Sequence, residues 1–162
     1  RGGFLEHVLK IAEVVSSLAA LYGANRDVAV AGALLHDICK LYELDYGPAT
    51  SYSREGRLVG HIAVGVRLVR EAASAIDGFP PALLTELEHL VLSHHGCLEF
   101  GSPVVPMTIE AFILSFADDL DAEINMARQA LGDDTSDGEF TAWHGRLERV
   151  LWKGAVRPPA SR

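Results

Sequence analysis

The chain has 162 residues, 49% of them hydrophobic, which excludes an intrinsically disordered chain and suits one compact domain. Its formal net charge of −8 argues against a surface dominated by a basic nucleic-acid patch, although bound divalent cations would still allow phosphate substrates. No apolar run approaches the roughly 20 residues that a membrane helix needs.

Helical periodicity dominates the sequence from its first residues onward. Six main helices are predicted, in chain order at about residues 4–23, 26–38, 54–76, 81–95, 108–131 and 139–152. The second is apolar almost all round and is therefore expected to be central. Pro81 suits the first turn of the fourth helix, and Thr108 is a candidate cap of the fifth. Gly47 and Pro48 indicate a loop over 40–53.

Further loops are predicted over 96–106 and, as an acidic turn, over 132–138. No strand alternation, repeat or low-complexity tract is visible. The sequence therefore predicts a single all-α domain over residues 1–153, with a frayed tail over 154–162. The two cysteines are too few for a disulfide framework and favour a reducing, cytoplasmic compartment.

Histidine and aspartate residues recur on these helices and at their ends. The candidate metal ligands are His7, His36, Asp37, His61, His94, His95 and Asp118. A single histidine is more often a surface or structural residue than a ligand, as His89 and His144 are expected to be, so the joint pattern carries the prediction. Asp118 follows the apolar stretch 112–117, where a carboxylate is costly unless it is paired or metal-bound.

Imidazole and carboxylate ligands together suit manganese, iron or zinc, with nickel and cobalt as further options. Seven ligands are too many for one tetrahedral ion and suit two octahedral ions that share a bridging carboxylate. Asp37 is the expected bridge because it adjoins a histidine and is central among the candidates. Two such ions can hold a phosphate, lower the pKa of a bridging water and stabilise the leaving oxygen.

Asp37 and Lys40 are the candidate catalytic residues, and two interpretations of Lys40 remain open. It follows Asp37 by three residues, so it can contact a phosphoryl oxygen or assist the leaving group. It can equally be a solvated lysine that complements the dipole at a helix C-terminus. Tyr52, Glu55 and Arg57 are candidate substrate contacts, for which a solvated helix start is the alternative explanation.

A family resemblance rests on segments found in the same order along most of the chain. These are Gly2–His7, Ala33–Lys40, Glu55–Ile62, His89–Gly96, Glu99–Pro103, Ala117–Ala122 and Gly138–Thr141. They resemble the HD-domain phosphohydrolase superfamily, and in more detail the catalytic domain of YhaM-type 3′→5′ exoribonucleases.

The resemblance implies an HD-domain helical bundle with a dinuclear metal centre, in which metal-activated water hydrolyses a phosphodiester. Lys40 matches the family's lysine after the His-Asp pair. By analogy with the superfamily, one metal would be held by His7, His36, Asp37 and Asp118, and the other by Asp37, His61, His94 and His95.

Three features depart from the family pattern. Cys39 stands where many relatives have glycine, which could narrow the site or add a redox-sensitive thiol, and Glu123 stands where a lysine is common. The N-terminal OB fold of these exoribonucleases, which binds single strands by stacking and backbone contacts, has no counterpart in these residues. Because Arg1 is not a methionine and the amphipathic pattern has begun by Phe4, we expect a piece of a longer protein or a chain lacking its start.

The leading hypothesis is exoribonuclease-like hydrolysis of RNA or short oligonucleotides. The acidic charge and the missing OB fold favour an alternative, a nucleotidase or a phosphohydrolase of cyclic or signalling nucleotides. A metal-binding regulatory module without turnover is the alternative from another class, and an oxygenase is more remote. The expected partner is a phosphoester substrate, either single-stranded RNA, an oligonucleotide or a nucleotide, and not a membrane.

Overall fold

The computed structural model describes residues 2–46 and 50–154. Its helices are α1 (Gly2–Tyr22), α2 (Arg26–Leu35), α3 (Lys40–Glu43), α4 (Arg54–Leu58), α5 (His61–Ser74), α6 (Pro81–Ser93) and α7 (Ile109–Asp133). Two short strands, β1 (Leu44–Tyr46) and β2 (Thr50–Tyr52), form an antiparallel hairpin, and a 3₁₀ turn covers Leu98–Phe100. The all-α fold class is confirmed, and none of these described helices is long and apolar enough to cross a membrane.

The chain divides after Asp118 into two compact units, and the first contains the hydrophobic core. Buried side chains of α1 recur every three to four residues, as expected for the apolar stripe of an amphipathic helix. Three of them are completely buried: Ile11, Val15 and Ala19. α7 begins after Thr108, whose hydroxyl oxygen accepts a hydrogen bond from the backbone N–H of Ala111 (3.1 Å), so the predicted cap is confirmed.

Close packing of α2 on α6 brings the ends of these two helices together. Gly32 of α2 approaches Leu90 of α6 so closely that an added methyl group would lie 2.7 Å from the leucine side chain. α2 ends at Leu35, three residues earlier than predicted, and His36 and Asp37 lie in the turn that follows. These two candidate ligands therefore occupy a turn between helices and not the last turn of a helix.

The predicted third helix is interrupted, so the prediction of one helix over 54–76 is wrong. Gly60 has a φ of +77°, a conformation that glycine adopts without the steric cost of a side chain, and α5 begins at the next residue. The interruption makes His61 the first residue of a helix.

The region 40–53 contains α3 and the β1–β2 hairpin. The prediction of a loop without strands over these residues is therefore wrong. The hairpin pairs Leu44 with Tyr52. Gly47 and Pro48, on which the loop prediction depended, lie outside the described residues, as do residues 155–162 of the predicted tail.

The segment after α7 is not helical, and the prediction of a helix over 139–152 is wrong. Isolated antiparallel bridges join Phe140 to Trp152 and His144 to Arg149. The backbone N–H of Thr141 donates to the carbonyl of Leu151 (2.8 Å). Backbone groups that would pair within a helix are therefore paired with residues about ten positions away.

Asp134 organises this second unit through three partners. Its carboxylate accepts hydrogen bonds from the backbone N–H of Ala142 (3.0 Å) and the hydroxyl of Ser136 (2.9 Å), and it forms an ion pair with Lys153. The hydrogen bond from Lys153, followed by that from Ala142, lowers the pKa of Asp134 to about 2.

Gly56→Ala is expected to destabilise the fold by about 1–3 kcal/mol, the usual cost of forcing atoms into packed structure. A methyl group at Gly56 would lie 2.3 Å from the carbonyl oxygen of Glu43, which is backbone and cannot rotate away. Gly3→Ala in α1 is the control, because its methyl group would meet nothing within 4 Å. Urea unfolding followed by circular dichroism measures both, and equal midpoints for Gly56→Ala and the wild type would contradict the prediction.

Asp134→Asn is expected to loosen the second unit at neutral pH. The pKa of Asp134 is lower in the folded segment than its value of 3.8 in the unfolded chain. Its contribution to the stability of the segment is therefore present above pH 3.8 and is lost as the pH falls toward about 2. The two tryptophans of the chain, Trp143 and Trp152, both lie in this segment, so their fluorescence reports on it.

The fluorescence of wild type and Asp134→Asn should differ near neutrality and converge as both are acidified. Asp137→Asn changes an exposed carboxylate of the same segment and should match the wild type throughout. Identical emission of Asp134→Asn and wild type at neutral pH would show that Asp134 does not order the segment.

Candidate metal centre

Asp37 lies in the turn after α2, with a side chain that is 1% exposed, and its two oxygens face different histidines. Oδ2 lies 3.5 Å from His36 Nε2 and 3.9 Å from His7 Nε2. Oδ1 lies 3.6 Å from His94 Nε2 and 3.7 Å from His61 Nε2. These separations are longer than hydrogen bonds, so the carboxylate and the rings face each other without bonding directly.

His7 of α1 and Asp118 of α7 lie on the Oδ2 side of Asp37. Asp118 Oδ1 is 3.2 Å from His7 Nε2 and 3.8 Å from His36 Nε2. Burial by itself raises the pKa of Asp118, but the hydrogen bond from His7 outweighs it and lowers the pKa. Of the neighbouring acids, Asp119 is exposed and Asp121 accepts a hydrogen bond within its own helix.

Backbone carbonyls fix the rings of His36 and His94. His36 Nδ1 is 2.8 Å from the carbonyl oxygen of Ala33, and His94 Nδ1 is 2.7 Å from that of Val91. A carbonyl oxygen only accepts, so each Nδ1 carries the hydrogen and Nε2 of the neutral ring keeps its lone pair. Burial lowers the pKa of His36, which favours this neutral form.

His95 lies on the Oδ1 side, where three imidazoles are grouped. Its ring centroid is 4.2 Å from that of His94 and 5.4 Å from that of His61. Its backbone N–H donates to the hydroxyl of Ser102 (3.1 Å). Burial, and then the neighbouring imidazoles, lower the pKa of His95 to about 4, so the ring remains neutral well below the usual histidine range.

The seven predicted ligands therefore meet in one cluster. Two sets of three residues place ligand atoms within 4.8 Å of one another: His7, His36 and Asp37, and His61, His94 and His95. Five buried atoms have no hydrogen-bond partner among the described residues: His36 Nε2, Asp37 Oδ1, His61 Nε2, His94 Nε2 and His95 Nδ1. Buried polar atoms normally have a hydrogen-bond partner. A group of buried nitrogen and oxygen atoms without one is the arrangement expected at a metal-binding site.

Lys40 contacts the same carboxylate, because its Nζ donates to Asp37 Oδ2 at 2.6 Å. α2 ends at Leu35 and Lys40 begins α3, so the interpretation of Lys40 as a lysine at a helix C-terminus is wrong. Burial by itself raises the pKa of Asp37, but the hydrogen bond and the positive charge of Lys40 oppose it and hold the pKa below its usual value. Asp37 is therefore ionised.

Glu43 belongs to the site although its place in the sequence did not indicate this. Its Oε1 is 3.1 Å from His61 Nδ1 and accepts a hydrogen bond from the backbone N–H of His61 (3.3 Å). Gly60 was a signal that a helix begins at His61. Nothing in the spacing indicated that an acid from α3 reaches that helix start.

The three candidate substrate contacts make interactions of their own. The guanidinium of Arg57 lies 5.6 Å from the ring centroid of Tyr52, which is 54% exposed. Glu55 accepts a hydrogen bond from Arg67 (3.0 Å). These contacts do not include the histidine–aspartate cluster, so a role in substrate binding stays a prediction for all three.

Cys39 is completely buried, and burial is the main cause that raises the pKa of its thiol to about 11. Reactive cysteines are accessible and have lowered pKa values, so Cys39 lacks the properties of a redox-sensitive thiol. Its sulfur would lie 3.9 Å from a methyl group added at Gly65 of α5, which indicates a packing role.

The two histidines predicted to be structural accept backbone hydrogen bonds. His89 Nε2 accepts from the N–H of Met107 (2.9 Å), and His144 Nδ1 accepts from the N–H of Leu147 (3.2 Å). Each of these ring nitrogens is therefore occupied by a hydrogen bond that serves the fold.

The chain is 43% identical over 140 residues to the 3′-5′ exoribonuclease YhaM of Geobacillus sp. (strain WCH70), and 42% identical over 140 residues to that of Bacillus licheniformis. Each match covers 86% of this chain but only 43% and 44% of the relatives, so the chain spans less than half the length of the curated relatives it matches. No solved structure gives a significant match. The HD domain model matches residues 4–123, a range that includes the whole cluster. The chain therefore belongs to the HD domain family.

Proposed function

We propose that the chain is a metal-dependent phosphohydrolase that shortens RNA or short oligonucleotides from the 3′ end. The substrate class comes from the two relatives, both named 3′-5′ exoribonuclease. The chemistry comes from the cluster around Asp37. The observation that carries the proposal is a set of five buried ring and carboxylate atoms that have no hydrogen-bond partner in the described part of the chain.

The donor set fits divalent transition metals. The Nε2 lone pairs of His36 and His94 face the oxygens of Asp37 at 3.5 and 3.6 Å, and all of these atoms are acceptors when the rings are neutral. A cation among them would replace repulsion by attraction. Imidazole nitrogen and carboxylate oxygen suit manganese or iron, and also zinc, nickel or cobalt.

We infer two ions that share Asp37. Its Oδ2 faces His7 and His36, and its Oδ1 faces His61 and His94. The first ion would be held by His7, His36, Asp37 and Asp118, and the second by Asp37, His61, His94 and His95.

Two ions of this kind, when bound, polarise phosphoryl oxygens and lower the pKa of a water. The chain's own contribution is to hold the ligands in place before the substrate arrives, as the carbonyls of Ala33 and Val91 do for two of the rings. Lys40 lies beside Asp37 and is placed to donate a hydrogen bond to a phosphoryl oxygen of the substrate. Such a donor stabilises negative charge that develops in the transition state.

We also propose a cytoplasmic location on the basis of the thiols. Both cysteines, Cys39 and Cys97, are free. Unpaired thiols are typical of compartments that keep cysteine reduced.

Asp37→Asn should lose bound metal and abolish hydrolysis, because the charge that two ions would share is removed. With Mn²⁺ and 5′-labelled single-stranded RNA, the wild type should give a ladder of shortened products on a denaturing gel. Asp45→Asn, which changes an exposed carboxylate on β1, should retain both the ladder and the metal measured by mass spectrometry. A wild type without metal, or a ladder from Asp37→Asn, would contradict the proposal. Phosphate release from mononucleotides without a ladder would favour the nucleotidase alternative.

Lys40→Met should lower kcat by about 10²–10³-fold, the usual cost of removing one donor to a transition-state oxygen. Metal content should not fall, since Lys40 is a competing cation at Asp37 Oδ2. Lys40→Arg keeps a cationic donor and should recover part of the rate. Full activity of Lys40→Met would remove Lys40 from the mechanism, and loss of metal would give it a structural role instead.

A further inference from the structure

His61 differs from the two most buried histidines in what fixes its ring. His36 and His94 each direct Nδ1 to a backbone carbonyl three residues earlier. His61 is the first residue of α5, so no preceding turn of the same helix supplies such a carbonyl. The acceptor that faces its Nδ1 is the carboxylate of Glu43, at 3.1 Å.

Glu43 makes two contacts with the same residue. Its Oε1 also accepts from the backbone N–H of His61 (3.3 Å), so one oxygen holds both the ring and the start of the helix. An ionised carboxylate only accepts, so the hydrogen of a neutral His61 ring lies on Nδ1 and the lone pair lies on Nε2. Nε2 is buried without a hydrogen-bond partner among the described residues and lies 3.7 Å from Asp37 Oδ1.

The position of Glu43 is itself constrained by the backbone around it. The backbone N–H of Ser53 donates to the carbonyl of Glu43 (2.9 Å), and Gly56 packs against that same carbonyl with no room for a methyl group. The side chain of Glu43 is only 12% exposed. Glu43 is therefore held between α4 and α5 before any ion binds.

We propose that Glu43 is a positioning residue that sets the tautomer and orientation of His61 and thereby raises the affinity of the second metal ion. This inference rests on the proposed function, because it concerns the ion assigned to His61, His94 and His95. A carboxylate behind a ligating histidine fixes the ring and increases its basicity. Loss of such an outer partner typically costs about 10–100-fold in metal affinity.

Three variants test the proposal in the metal-free protein and during titration with Mn²⁺. Glu43→Ala removes the acceptor, and Glu43→Gln keeps an acceptor oxygen without the charge. Glu13→Gln changes an exposed acid on α1 and is the control. Nitrogen-15 spectra of the metal-free proteins report which ring nitrogen of His61 carries the hydrogen, and calorimetry reports the two Mn²⁺ affinities.

The wild type and Glu13→Gln should show the Nδ1–H tautomer of His61 and bind two ions. Glu43→Ala should populate the other tautomer and bind one ion normally and the other about 10–100-fold more weakly. Glu43→Gln should lie between them. The first ion is the internal reference, because a general loss of folding would weaken both sites.

Unchanged tautomer and unchanged second affinity in Glu43→Ala would overturn the inference while leaving the proposed function standing. If Glu43→Ala does not fold, Glu43→Gln decides the role of the charge. A wild-type tautomer and a wild-type second Mn²⁺ affinity in Glu43→Gln would overturn that role, and a weakening of the second affinity alone would support it. A wild type that binds no metal would overturn the proposed function and this inference together, and the tautomer would then report only a structural contact.

Discussion

Asp37 is an ionised carboxylate buried among four imidazole rings, and the rest of the site is arranged around this charge. Burying a charge is costly unless other groups compensate it. Lys40 compensates one oxygen at 2.6 Å, whereas the other oxygen faces His61 and His94 and accepts no hydrogen bond from residues 2–46 or 50–154. The helices hold these groups in place even though several are acceptors that face one another. This unsatisfied arrangement makes a cation the natural complement of the cluster.

Helix ends, more than helix faces, position the rings. His36 follows α2, His61 begins α5 and His94 follows α6, so each ring projects from a point where the backbone changes direction. Two of these rings are held by carbonyls of the turn that precedes them, and the third is held by Glu43. A fixed ring loses little entropy when it binds an ion, which is the physical benefit of such preorganisation.

Periodicity predicted the long helices well because each buries an apolar stripe in the core. It failed where local geometry or long-range pairing decides the outcome. Gly60 has a positive φ and divides the predicted third helix, although the apolar pattern continues through it. The final predicted helix is replaced by pairing between Phe140 and Trp152, because aromatic and β-branched residues also suit extended backbone and Asp134 bonds to the distant Ala142.

The sequence by itself determined which side chains carry the chemistry, since adjacent pairs such as His36–Asp37 and His94–His95 are visible without coordinates. It also determined the all-α class through the spacing of apolar residues. Only the tertiary structure decided which oxygen of Asp37 faces which rings, and that Glu43 contacts Nδ1 of His61. The reason is physical: spacing along the chain defines one face of one helix, whereas distances between helices depend on packing between residues far apart in sequence, such as Gly32 against Leu90.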